Sequence, residues 1–188
     1  MTLSQQLDQK AFGELWIYPA HDETVERIWD DGAREQELHA VIASEESSDF
    51  ARFVACEVLF GSEVFFLKVQ GREKVAGIYA KALAENMTGH ANSWGLLYEH
   101  EDEGPVGIVF LMINTPAISA LVPLLDDERT HLVYEGSEEA TVGNAYGYRV
   151  KDFAAYYIGR IRNQKLTWYP EIADRDRQIE ELKAELAK

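Results

Sequence analysis

The chain has 188 residues, 46% of them hydrophobic and 27% charged, and 18 basic against 33 acidic residues leave a formal charge of −15. That is one domain's worth of sequence with enough apolar material for a continuous core, which excludes a disordered or low-complexity chain. Strong acidity repels phosphate backbones and anionic lipid, so nucleic acid and membrane are not expected partners; it suits a basic protein partner or plain solubility.

Most segments repeat apolar residues at helical spacing. A first helix is expected over Ser4–Trp16, with Leu7, Phe12 and Leu15 on one side. His21-Asp22-Glu23 opens a second, capped by Asp22, striped by Val25, Ile28 and Trp29 and ended by Gly32. A third runs from Arg34 to Ala43 with Leu38, Val41 and Ile42 inward. Ser47-Ser48-Asp49 then caps a fourth that reaches Phe60, with Phe50, Phe53, Val54, Val58 and Leu59 as its stripe and Gly61 as its stop. The short polar loop between these two makes an antiparallel hairpin.

Val64–Val69 fits a short strand or a buried helical turn. Arg72–Asn86 is a clear helix, Met87–Ser93 a loop and Trp94–Tyr98 a helical turn. An acidic link, Glu99–Glu103, precedes two short helices, Pro105–Ile113 and Pro116–Leu125, each opened by a proline. Leu132-Val133-Tyr134 is read as a short extended piece and Glu135–Gly147 as a long acidic surface loop. Arg149–Arg162 is the last strong core helix. A connector with Trp168, Tyr169 and Pro170 leads to the charged helix Glu171–Lys188, whose apolar seam is Ile172, Ile179, Leu182 and Leu186. This predicts an all-α fold, with a single helical domain over 1–170 and a charged C-terminal helix over 171–188.

Two segments match each other. Asp49-Phe50-Ala51-Arg52-Phe53-Val54-Ala55 and Asp152-Phe153-Ala154-Ala155-Tyr156-Tyr157-Ile158 both set an acid at a helix start, a small residue two later and bulky residues after it. The stretch Val150–Ile161 resembles the second helix of a HEAT-like repeat, and the proline-opened pair ending Val122-Pro123-Leu124-Leu125-Asp126-Asp127 is similar to the end of a first helix. The resemblance covers about half the chain and implies an irregular α-solenoid. No steady period of about 40 residues runs through the sequence, and a plain helical bundle is the competing arrangement. Such repeat proteins work by binding other macromolecules.

Catalytic and metal signatures are lacking. His21, His39, His90, His100 and His131 form no metal-ligand spacing, and no nucleophile elbow or phosphate loop is present. Cys56, the sole cysteine, reads as a core residue, because Glu57 beside it would raise its pKa. No cofactor is expected. The first residues lack the basic and apolar regions of a signal peptide, and Val106–Ile113, the longest mainly apolar stretch, is too short for a bilayer, so the expected address is cytoplasmic.

Charge is distributed unevenly. Residues 21–63 hold twelve acids against three arginines, and residues 98–140 hold ten acids against one arginine, a balance of −9 in each. Residues 141–167 reverse this: Arg149, Lys151, Arg160, Arg162 and Lys165 stand against Asp152. Dipolar surfaces of this kind steer oppositely charged partners. The expected contact residues are Glu99, Glu101, Asp102, Glu103, Glu135, Glu138, Glu139, Tyr146, Arg149 and Trp168. Two readings of the basic helix stand side by side. Either Tyr156 and Tyr157 fill the core while its cations pair with acids, or they join Trp168 and Tyr169 in a contact face. The expected function is a protein-binding module for a basic partner, of the inhibitor or immunity kind. The alternative is an enzyme or nucleic-acid repair protein on a HEAT-like scaffold, which needs a basic groove.

Overall fold

Every regular element among the described residues is a helix. The computed structural model describes residues 1–9, 20–62, 66–95, 103–136 and 138–188, and contacts divide the chain into two units, Met1–Gly89 and His90–Lys188. The sequence reading drew its boundary at residue 170; the contacts draw theirs at 89.

In the first unit, Thr2 and Gln5 exchange side-chain and backbone hydrogen bonds at 3.0 and 3.3 Å, a capping box that starts α1 (Leu3–Leu7). The helix stops at Leu7, where the Asp8 N–H returns to the Ser4 carbonyl at 3.2 Å. That is well short of Trp16; Phe12 and Leu15 lie outside the described residues. Then come α2 (Ala20–Trp29) and α3 (Glu35–Ala43), joined through Asp31 and Gly32 at φ of 50° and 81°. Ser48 accepts the Ala51 N–H at 3.0 Å and so caps α4 (Asp49–Ser62). The chain continues as α5 (Phe66–Gln70) and α6 (Arg72–Ala84). The apolar run near residue 66 is therefore helical where it is described.

Helix α4 is the hub of this unit. Ala51, Phe53, Val54, Ala55, Cys56, Val58 and Leu59 are all fully buried, and α1, α2, α3 and α6 pack around them. A helix apolar on every side needs neighbours on every side. Phe53 meets Tyr79 of α6 edge to face at 5.4 Å.

In the second unit, a 3₁₀ turn at Ala91–Trp94 leads to α7 (Ile108–Ile113) and α8 (Thr115–Leu121). The proline-opened helices are shorter than the sequence suggests. Pro105–Gly107 forms a turn before α7, and beyond Leu121 the chain tightens into a 3₁₀ helix, Val122–Asp126. Pro123 has no N–H to continue an α-helical ladder. Gly107 lets Tyr157 approach: a Cβ there would collide with the tyrosine hydroxyl, which donates to the Trp94 and Glu103 carbonyls.

The segment read as a long loop, Glu135–Gly147, contains a helix, α9 (Glu138–Ala145). Beside it, Leu132-Val133-Tyr134 belongs to no helix and is held by side chains. Asn144 accepts the Tyr134 N–H at 2.8 Å and donates to its carbonyl at 2.9 Å. Asn92 does the same for Glu135, at 2.9 and 3.1 Å. Each amide stands where a neighbouring strand would.

The hub of this unit is α10 (Val150–Ile161), buried from Val150 through Gly159; α7, α8, the 122–126 turn and α11 (Ile172–Leu186) pack on it. The two segments that match in sequence are thus the central helices of their respective units. Of the stripe expected on α4, Phe53 and Val54 are fully buried, as are Phe153 and Ile158 of the expected core helix α10, whereas Phe50 is only half-buried. No helix of the described residues is long and apolar enough to cross a membrane.

Candidate functional site

The expected contact face centred on α10, and its two ends behave differently. At the N-terminal end the cations are consumed internally. The Asp152 carboxylate accepts the Arg149 backbone N–H at 2.8 Å and its guanidinium at 3.1 Å. Arg149 and Lys151 each pair with Asp176 of α11 at 2.8 Å, and Lys151 also reaches Glu128 at 3.0 Å. Arg175 is fully buried. It pairs with Asp152 at 3.4 Å, donates to the carbonyls of Tyr169, Pro170, Tyr146 and Gly147, and lies 5.2 Å from the Tyr148 ring centre. Five charged groups, three at the start of α10 and its cap and two on α11, make one lock.

Its electrostatics follow. Burial pulls Arg149 toward neutrality, but hydrogen bonds and charge from Asp152 and Asp176 outweigh it and raise its pKa. Burial raises Asp176; the bonds from Lys151 and Arg149 outweigh that and lower its pKa. Hydrogen bonding to Arg129 lowers Asp127. A depressed carboxylate contributes stability above its unfolded pKa and loses it as pH falls through the folded value. The second unit is therefore expected to lose urea resistance below about pH 4, as the pH falls past the pKa of a free carboxylate. Denaturation midpoints across the acid range check this, and Asp176→Asn should flatten the profile. An unchanged profile in that variant would remove Asp176 from the account.

At the C-terminal end of α10 the cations face outward. Arg160 and Lys165 are exposed. The helix closes with Asn163 at φ 54° and the Gln164 N–H bound to the Gly159 carbonyl at 2.8 Å. Gly159 permits that close return, since a Cβ there would press on Leu166 and the Gln164 carbonyl at 3.0 Å. The result is a groove of about 330 Å³ lined by Gly159 and Leu166. Tyr156, Arg160, Asn163, Gln164, Lys165 and Trp168 complete its lining. Arg160 donates to the Tyr156 hydroxyl at 2.7 Å, lies 5.6 Å from the centre of that ring and pairs with Glu103. Trp168 stands nearly perpendicular to Tyr156 at 5.7 Å and to Tyr148 at 6.4 Å. Its strand of chain is pinned by Gln178 of α11, which accepts the Thr167 N–H at 2.8 Å and donates to the Thr167 carbonyl at 3.0 Å.

The expected contact residues fall into three groups. Glu99, Glu101 and Asp102 lie outside the described residues. Glu135, Glu138 and Glu139 are exposed, the last two in the first turn of α9. Glu103, Tyr146, Arg149 and Trp168 are tied into the second unit: Glu103 to Arg160, Tyr146 stacked on Tyr148 at 5.4 Å, Arg149 buried in the lock, Trp168 half-buried. Tyr156 and Tyr157 are both buried, as the core reading had it. Asn163, Gln164 and Lys165 are groove residues that sequence reasoning missed. Their signal was the left-handed Asn that follows the helix.

In the first unit, burial and then Glu57 push the Cys56 thiol up, with Lys74 countering weakly, so it is not poised as a nucleophile. Burial and then Glu57 likewise raise Tyr79. Among the described residues no three His, Cys, Asp or Glu side chains stand close enough to hold a metal ion. The outer surface of α2–α4 is acidic. Glu23, Glu26, Asp30, Asp31, Glu37, Glu45, Glu46 and Asp49 are all exposed. Of the arginines there, Arg27 is exposed, whereas Arg34 and Arg52 are half-buried, hydrogen-bonded to Gln6 and to the Ser44 carbonyl. No family model, curated protein or solved structure matches the chain.

Proposed function

We propose that this chain is a binding module that takes a basic partner protein on the acidic outer surface of α2–α4. The carrying observation is the eight exposed carboxylates there against one exposed arginine; of the eight, Asp49 pairs with the half-buried Arg52 at 3.7 Å. Like charges spread over one surface repel one another in the free protein, and a basic partner relieves that repulsion as it docks. The helical architecture suits the role. Hub helices α4 and α10, matched in sequence and each packed against several other helices, suit an irregular HEAT-like array of helix pairs. An inhibitor that masks a basic protein, as an immunity protein masks a toxin, fits the same surface.

The test is kinetic. Exposed charges are screened beyond about 8–10 Å at physiological ionic strength, so association with a basic partner captured from the source cell should slow steeply as salt rises. Substituting Glu45→Gln, Glu46→Gln and Asp49→Asn together should lower the on-rate more than it raises the off-rate. Association rates that stay flat across the salt series would remove this reading.

A further inference from the structure

We propose that the groove at the C-terminal end of α10 is a binding site for a small ligand that joins a planar ring to an anionic group. The site is independent of the acidic surface on α2–α4.

Three observations converge on that chemistry. First, the groove is of ligand size, about 330 Å³, and its lining combines the aromatic Tyr156 and Trp168 with the cations Arg160 and Lys165 and the amides Asn163 and Gln164. Second, its guanidinium is oriented before any ligand arrives. Arg160 spends one donor on the Tyr156 hydroxyl and one on Glu103. A guanidinium carries five N–H groups in a fixed plane, so two such bonds set that plane without exhausting its donors. Third, Trp168 is held in place by two tyrosines and by its backbone. Tyr148 and Tyr156 brace its ring, and Gln178 grips the backbone one residue earlier. A half-buried indole fixed in this way is a stacking platform that loses little freedom on binding.

The local charge supports an anion despite the protein's −15. Arg160, Arg162 and Lys165 gather within six residues, opposed by Glu103, by Glu185 at 3.8 Å from Arg162, and by the partial negative charge of the helix end. Charges held in contact inside a groove are screened much less by salt than charges that act through solvent. The anion would sit between Arg160 and Lys165, with Asn163 and Gln164 offering amide donors and the ring lying toward Trp168. Phosphate and carboxylate meet these groups equally well, so a nucleotide and an aromatic acid share the chemistry.

Calorimetric titration of the full chain at physiological salt separates the sources. The probes are adenosine monophosphate and indole-3-acetate, run beside adenosine, inorganic phosphate and acetate. Either ring-bearing anion should bind more tightly than the ring or the anion alone. Binding of the first only marks a phosphate ligand, of the second only a carboxylate ligand. The indole N–H resonance of Trp168, assigned through Trp168→Phe, should shift on binding. Lys165→Gln should weaken binding about tenfold, the loss of one charge-assisted contact, and Arg160→Gln at least as much. Lys165 is exposed and lies outside the core, so its variant stays informative even if Arg160→Gln disturbs Tyr156. Failure of both ring-bearing anions to bind, or equal binding by wild type and Lys165→Gln, would overturn the proposal. Neither outcome bears on the salt dependence expected for the acidic surface.

Discussion

Replacing Arg175 with methionine is expected to destabilise the 90–188 unit by about 3–5 kcal/mol, the range for removing one partner of a buried ion pair. Methionine keeps much of the apolar stem against Tyr148 but strips every donor. Four backbone carbonyls, on Tyr146, Gly147, Tyr169 and Pro170, then lose their side-chain partner. Asp152, fully buried, keeps Arg149 but loses its second cation. Urea denaturation followed by tryptophan fluorescence reads the loss. The paired variant Asp152→Asn with Arg175→Met should lose less than the two single variants added together, because each removes the charge that the other leaves stranded. A loss below about 1 kcal/mol for Arg175→Met would mean that water fills the lock without difficulty.

Phe153→Ala is expected to cost about 3–5 kcal/mol, the usual range for emptying a buried phenylalanine site. The ring is fully buried in α10, with Tyr148 edge-on at 6.1 Å and Tyr134 tilted at 6.4 Å. Those large rings cannot fold into the void without losing the bonds that hold them, such as that from the Tyr134 hydroxyl to the Gly95 carbonyl at 2.9 Å. Phe50 holds the matching place on α4 and is half-buried, which makes Phe50→Ala an internal control. Its loss should be clearly the smaller, since exposed ring surface contributes no transfer free energy. Equal losses from the two substitutions would show that burial does not govern them.

Periodicity exposed most of the fold and failed where it had nothing to report. Helices α3, α4, α6, α10 and α11 have ends within a turn of those read from sequence, and their apolar stripes match except that Ile172 of the α11 seam is exposed and Phe50 of the α4 stripe and Leu186 of the seam are half-buried. Helix α9 has no stripe: only Ala140 and Gly143 are buried, Gly136 lies just before it and paired acids, Glu138 and Glu139, open it. A segment so polar looks like a loop because its burial comes from small residues, not large ones. Charge counting found the reversal of sign around α10 but could not tell a free cation from a spent one. The Arg149–Asp152 pair is local and was legible at i, i+3 spacing. Asp176 and Arg175 lie more than twenty residues away in sequence, and only the approach of α11 brings them to it. The groove escaped for the same reason. Trp168 was singled out as aromatic, but its partners Asn163, Gln164 and Lys165 became a site only when the chain doubled back across Gly159.

Asn92, Asn144 and Gln178 bear on how this protein ages. Each grips a backbone N–H with its carbonyl oxygen and a backbone C=O with its amino group, so each needs both halves of the carboxamide. Hydrolysis of the side-chain amide replaces the amino half with a second acceptor, nearly identical in shape and opposite in sense. A carboxylate oxygen would then face a peptide carbonyl, and the clamp would push where it had held. On a chain with 33 acidic residues, one more negative charge on the surface changes little. At these three positions the same change would undo the segments around Tyr134, Glu135 and Thr167.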